Sequence, residues 1–419
     1  MVGSATADEG KRSFRTRASA GTARRARSMR ASSRRVLLAA LGPDPGELPA
    51  LAAALADRLD WNWILDRARS HKVAALLAAR LDYLEDGLLP SRVRDTVRTV
   101  RREARERATW AQRTLQQVAR ALAARSVPFL VLKGSVLAEH VYGDPALRPF
   151  HDVDLVVPVP RLDEAEAALV SLGYRFYCPP AFVFDWVPPA VRPSGALDAP
   201  VPEGVARLLY RTHHFHFQYV PPRCDERLPV ELHWHVAQPP VLPVPPAALW
   251  ERATPTVVAG LPMQTLDAEA TLVYVALHAM KDGRADFRLL HLCDIAWLVA
   301  RDRSRDGWER AMALAAAWRT HHHLARGVEA ARRLFRLPSA AAPPPPGLVA
   351  PLLQSCFRLS GDPVGGGPGH GPLGRFTREV LAEALWDLSL GRPPRRAGRR
   401  VLATARVRLA RWGLLPGRA

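Results

Sequence analysis

The chain has 419 residues, is 48% hydrophobic and carries a formal charge of +19, enough length for two or three domains with an ordinary globular composition. The charge is concentrated at the ends: residues 1–35 hold ten basic residues against Asp8 and Glu9, and residues 392–419 hold nine arginines and no acid. These tails account for +8 and +9, so the body keeps only +2, which excludes a fold whose whole surface is built to meet a polyanion.

Residues 1–35 are polar, arginine-rich and without periodicity, and read as a disordered basic tail, with Met29 as an alternative start. The apolar run Val36 to Leu41 is shorter than a signal-peptide core and lacks a cleavage site, so secretion is not expected. Region 36–125 reads as helical. Trp61, Ile64, Leu65 and Ala68 fall at turn spacing, then Val73, Leu76, Leu77 and Leu81, and a charged amphipathic helix runs from about 91 to 124.

At Val127-Pro128 the period changes and region 126–238 begins. Phe129 to Leu132 reads as a buried strand, Gly134-Ser135 as a turn and Val136 to Tyr142 as a short helix. A loop with Asp144-Pro145 and Arg148-Pro149 leads to a strand ending at Val157. A helix from Asp163 to Leu172 is followed by Gly173 in the C-terminal capping place and by a strand at Tyr174 to Tyr177. Residues 178–202 form a proline-rich loop or insertion. A hairpin follows, Thr212 to Val220 against Pro229 to Val236, in which Glu231, His233 and His235 share one face.

Region 239–335 opens with a proline-rich connector and continues as helices; 336–375 is a Pro/Gly-rich linker and 376–419 an amphipathic, then basic, tail. The two most apolar stretches, 271–280 and 289–300, are interrupted by His278 and Asp294 and fall short of the ~20 residues a bilayer requires, so no integral membrane association is expected. The four cysteines form no C-x-x-C pair, which argues against a zinc ribbon or thioredoxin-like site and for a reduced, cytoplasmic setting.

The chemistry is concentrated between 131 and 157. Side chains alternate across a strand, so Asp152 and Asp154 project together, and two carboxylates that close repel unless a cation sits between them. A hard ion such as Mg²⁺ bridges carboxylates to substrate phosphates. The Gly134-Ser135 turn opens a helix whose free N–H groups suit a phosphate, and Lys133 adds a point charge in a chain with lysine only at 11, 72, 133 and 281. Arg148 either clamps a phosphate or pairs with Asp144 to close its loop. The histidines His213, His214, His216, His233 and His235 invite a zinc reading. Alternation separates His213 from its neighbours and no cysteine joins them, so hydrogen-bonding support for a carboxylate cleft is expected instead.

The run Phe129-Leu130-Val131-Leu132-Lys133-Gly134-Ser135, with Tyr142, Asp144-Pro145, Leu147-Arg148-Pro149 and Asp152-Val153-Asp154-Leu155-Val156-Val157-Pro158, resembles the uncharacterised nucleotidyltransferase family of the DNA polymerase beta-like superfamily. The similarity extends to Asp60-Trp61, His71, Leu172-Gly173-Tyr174, Val230-Glu231-Leu232-His233-Trp234, His278 and Asp294. The resemblance implies an α+β fold, a nucleotidyltransferase core with a mixed sheet between helical regions. It also implies two Mg²⁺ ions and a nucleoside triphosphate as substrate. Asp152 and Asp154 match the paired acids, Glu231 the third, and Lys133, Gly134, Ser135 and Arg148 fall to the nucleotide. The acceptor stays open among a small molecule, a peptide, a protein and an RNA end. The chain departs from the pattern at His151, a bulky residue ahead of the first aspartate. The rival expectations are a catalytically degenerate nucleotide- or protein-binding member, and a nucleic-acid binder acting through its basic tails.

Overall fold

The computed structural model describes residues 28–55, 59–84, 87–178, 203–213, 215–222, 226–236, 244–280, 288–301 and 304–337, with Ala26. Residues 1–25 of the N-terminal tail, the insertion from 179 to 202, His214, the linker beyond 337 and the C-terminal tail lie outside them. The chain divides into two compact units, Met1–Val100 and Arg101–Ala419.

The first unit is helical: α1 (28–41), α2 (Leu48–Leu55), α3 (Trp61–Ser70) and α4 (Ala74–Leu81), with the start of α5 (Ser91–Ala123). Helix α1 begins inside the stretch expected to be a tail. The reason is local: Ser33 is fully buried and its hydroxyl accepts the Asp60 N–H at 2.8 Å. Asp60 in turn caps α3, its carboxylate accepting the Trp63 N–H at 3.0 Å, while Trp61, Ile64 and Ala68 turn inward. Asp60 and Trp61 therefore begin a helix and anchor it.

The second unit is α+β. Its five-stranded sheet has the order β1-β2-β5-β4-β3, with β1 at Leu130–Val131, β2 at Val153–Val156, β3 at Arg175–Tyr177, β4 at His216–Val220 and β5 at Val230–His233. Only β2 and β5 pair in parallel; the other neighbours are antiparallel, as a mixed sheet requires. Its two faces bury different layers. Val153, Leu155, Val157, Phe217, Tyr219, Val230 and Leu232 pack with Ala111, Leu115, Val118 and Leu122 of α5 and with Leu162, Ala165 and Leu169 of α7 (Leu162–Ser171). The other face carries Val156, which joins Leu130 and Leu132 in a cluster with α10 (Ala268–Met280), α11 (Leu289–Arg301), α12 (Arg305–Ala317) and α13 (His321–Phe335). Of two further helices, α8 (Glu203–His213) lies between β3 and β4 in sequence and α9 (Pro246–Trp250) follows β5.

Region 239–335 is not helical throughout. A two-stranded hairpin, β6 (Ala253–Val258) and β7 (Leu261–Leu266), precedes α10. Pro255 and Pro262 hide it in the sequence, because proline demotes a strand pattern, yet both fit a ribbon that has edges on each side. Its two-residue turn, Ala259-Gly260, has positive φ at both positions, 52° and 73°, matching the twist of a tight hairpin. The hairpin is fastened to the sheet by Thr265, whose hydroxyl donates to the Val131 carbonyl at 2.8 Å, and to the helical segment Leu137–Val141 by Glu139, which accepts the Ala259 N–H at 2.9 Å. Among the described residues no helix is long and apolar enough to cross a membrane.

Replacing Asp60 by alanine removes the α3 cap and is expected to cost about 1 kcal/mol, read as a lower denaturation midpoint with an unchanged circular dichroism spectrum.

Candidate active site

The acids are brought together by strand register. Parallel pairing of β2 and β5 sets Asp154 beside Glu231 and Val156 beside His233, and the antiparallel pair β4–β5 sets His216 opposite His233. Asp154 and Glu231 therefore share the sheet face that looks toward α10 and α11. Asp152 lies just ahead of β2 and is half-buried; its charge is felt at Lys133 and Tyr274.

Lys133 supplies the cation that lets these carboxylates coexist. Its Nζ stands 2.9 Å from Asp154 Oδ1, with the aspartate side chain fully buried. Burial works against the ammonium, but Asp154 foremost, with Tyr274, Glu231 and Asp152, outweighs it and holds its pKa well above the usual lysine range. The residue also takes a left-handed φ of 23°, a conformation that costs a non-glycine residue about 1–3 kcal/mol and persists only where the surroundings impose it.

His233 Nε2 lies between the acids, 3.2 Å from Asp154 Oδ1 and 3.3 Å from Glu231 Oε2. Burial depresses its pKa, yet the hydrogen bonds to Asp154 and Glu231 raise it more, leaving it above the ordinary imidazole value. His216 Nε2 approaches Glu231 Oε1 at 3.7 Å. Oδ1 of Asp154 thus serves both Lys133 and His233, while its Oδ2 is buried without a hydrogen-bond partner among the described residues. A buried, unsatisfied carboxylate oxygen beside a second carboxylate suits a divalent cation, so the residues present fit the Mg²⁺ that the sequence resemblance implies.

Gly134 permits a close approach. A Cβ there would stand 3.0 Å from Phe150 Cγ and 3.3 Å from its Cβ, so the glycine lets the short helix α6 (Lys133–Val136) press against the segment leading to Asp152. Ser135 is buried and lines a small recess with Gln112, Leu115, Glu139, Phe150 and Ala259, which contains none of the three acids. A wider groove lined by Trp110, Arg113, Gln117, Leu172, Glu226 and Arg227 also lacks them. His151 is exposed, its Nδ1 3.3 Å from Arg107 on α5.

Arg148 pairs with Asp294 and not with Asp144. It is 5% exposed and forms a two-pronged pair with Asp294 on α11, Nε to Oδ1 at 2.8 Å and Nη2 to Oδ2 at 2.7 Å. Tyr142 donates its hydroxyl to the same Oδ1 at 2.9 Å and stacks on Trp297 with ring centroids 4.5 Å apart. Asp144 is occupied locally, accepting the Ala146 N–H at 2.8 Å. Through this pair Arg148 ties the loop before Asp152 to α11. Its partner lies 146 residues away, and the only sequence signal for it was the joint appearance of Tyr142, Arg148 and Asp294 among the resembling positions.

Removing one member of this buried pair strands the other charge. Asp294→Ala is expected to cost about 3–5 kcal/mol, whereas an Arg148→Met/Asp294→Leu double variant recovers most of that loss; chemical denaturation of the three proteins checks it. His291, one turn before Asp294, has its pKa pushed down to about 4 by burial, with Arg148 and Lys133 adding to the effect against an opposing Asp294. The unfolded chain binds a proton near pH 6.5 and the folded one does not, so stability falls as pH drops from about 6.5 to about 4. Denaturation across that window should flatten in His291→Gln.

A family model described as uncharacterised nucleotidyltransferase matches residues 57–336. No curated protein matches the chain. Among solved structures, the solution structure of the antibiotic-resistance factor ANT(2'')-Ia is 15% identical, covers 51% of this chain and 96% of its own, and has a TM-score of 0.32. The crystal structure of ANT(2")-Ia in complex with adenylyl-2"-tobramycin is 16% identical, covers 50% of this chain and 98% of its own, and has the same TM-score of 0.32. The family match alone spans well over half of the chain and takes in the strands that carry Asp154 and Glu231, and the chain belongs to the uncharacterised nucleotidyltransferase family.

Proposed function

We propose that the cleft between β2, β5 and α6 transfers a nucleoside monophosphate from a nucleoside triphosphate to an acceptor hydroxyl or amine, with release of pyrophosphate. The observation that carries this reading is the in-register pair Asp154 and Glu231, with the buried Lys133 ammonium 2.9 Å from Asp154. Asp152, Asp154 and Glu231 would hold two Mg²⁺ ions, which when bound would neutralise the triphosphate and polarise its α-phosphate.

The protein's own groups have separable tasks. Lys133, already charged and pinned by carboxylates, offsets negative charge on the leaving pyrophosphate. The backbone N–H groups at Gly134 and Ser135 meet phosphate oxygens at the start of the α6 turn. Glu231 takes the acceptor's proton as the acceptor oxygen or nitrogen bonds to the α-phosphorus and the bridging P–O bond breaks. Arg148, through Asp294, holds the loop that sets Asp152. Catalysis of this kind is mainly positioning and electrostatics, so the loss of one acid is severe.

Asp154→Asn keeps the shape of the side chain and removes its charge. Incubated with α-labelled nucleoside triphosphates, Mg²⁺ and a host-cell extract, it is expected to transfer label at least roughly a hundredfold more slowly than the parent chain, with thermal denaturation still cooperative. Unchanged turnover would refute the assignment. Nucleotide binding indifferent to Mg²⁺, with no pyrophosphate released from the parent chain, would mark a degenerate site instead.

A further inference from the structure

The acids of this cleft are accompanied by more nitrogen than a magnesium site uses. Glu231 is flanked by two imidazoles, and one ligand atom each from His216, Glu231 and His233 lies within 4.8 Å of the other two. All three arrive on regular strand positions. His216 and His233 are cross-strand partners on β4 and β5, their ring centroids 4.6 Å apart, and Glu231 is two residues before His233 on the same face. Both imidazoles present Nε2 to the carboxylates. The set is held rather than draped: the His233 side chain is 1% exposed, that of His216 13% and that of Glu231 16%. Beside His233 lies Asp154, whose buried Oδ2 has no hydrogen-bond partner among the described residues.

Alternation separates histidines along one strand, but the register of β4 against β5 brings one histidine from each onto Glu231. That arrangement changes the chemistry available. Mg²⁺ prefers oxygen ligands in octahedral geometry and retains waters, whereas imidazole nitrogen with carboxylate oxygen suits the dications later in the first transition row. Two nitrogens and one carboxylate from a rigid sheet make a three-ligand set of that mixed kind, which leaves a fourth position open.

We propose that His216, Glu231 and His233 form a three-ligand site for a first-row transition dication of the zinc and cobalt class, bound in preference to Mg²⁺. The inference rests on reading Glu231 as a metal ligand and does not depend on transfer taking place. It gives His216, expected only to support the carboxylates by hydrogen bonding, a ligand role, and it makes one of the two ion positions selective.

The test uses Co²⁺ as a probe on the full chain after chelator treatment. Titration is expected to produce the visible ligand-field bands of nitrogen-ligated, low-coordinate Co²⁺, to saturate at one ion per chain, and to be reversed by Zn²⁺ but not by roughly a thousandfold excess of Mg²⁺. His216→Ala should weaken Co²⁺ binding by at least about tenfold. A spectrum that stays that of the hydrated ion, displacement by Mg²⁺ as readily as by Zn²⁺, or Co²⁺ binding unaffected by His216→Ala would each overturn the proposal. The Mg²⁺ competition is made on the parent chain and holds even if the variant fails to fold. Transfer supported by Mg²⁺ without Co²⁺ binding would refute this inference alone, whereas selective Co²⁺ binding without any transfer would sustain it and refute the proposed function.

Discussion

The parallel pairing of β2 with β5 is the constraint on which the rest of the site depends. Because Asp154 registers with Glu231, two carboxylates share one mostly buried sheet face, and a positive charge must accompany them. Lys133 provides it, at the cost of an uncommon backbone conformation and with a fully buried aspartate as partner. A one-residue slip of β5 would turn Glu231 into the α5 layer and bring Val230 or Leu232 to the site, so the hydrophobic alternation that packs the sheet also fixes the chemistry. The core and the site are therefore specified by alternate residues of the same strands.

A second dependence runs through Arg148 and Asp294. The loop from Asp144 to Phe150 has no regular structure of its own, yet it must deliver Asp152 next to Asp154. A buried, two-pronged ion pair with α11, joined by the Tyr142 hydroxyl, fixes that delivery, and Gly134 removes the Cβ that would press Phe150 away. Such a pair contributes less to net stability than its short distances suggest, because both charges have been taken out of water. Its value lies in specifying one loop geometry, and it couples the helices after the sheet to the acids on it.

Much of this was legible in the sequence, and what was not has physical causes. The strands of the sheet and α7 were readable because alternation, a glycine cap and turn residues agreed with one another around 129–177 and 216–236, although the strand expected from Thr212 begins only at His216 because Glu203–His213 is helical. Asp154 could be singled out because it alternates with a second acid on one strand face, Lys133 because lysine is rare in this chain and stands beside the Gly134 turn, and Glu231 because it matches the third acid of the resembling family. The hairpin at Ala253–Leu266 was missed because Pro255 and Pro262 mimic a connector. The pairing of Arg148 with Asp294 was not legible because a guanidinium near a glycine turn and one buried against a distant aspartate look alike until the tertiary fold chooses. The convergence of His216 on Glu231 was hidden for a related reason: alternation describes one strand, whereas the pairing of histidines is a property of two.

The central claim is that Asp154 and Glu231 act together as one cation-dependent triphosphate site. Its most direct test measures the affinity of a non-hydrolysable nucleoside triphosphate analogue with a saturating divalent ion and again after chelation, for the parent chain and for Glu231→Gln. The account predicts that the ion tightens binding by at least about tenfold in the parent chain, a coupling within the ordinary range between linked sites, and that the variant loses this linkage. Equal affinity with and without the ion in the parent chain would contradict it.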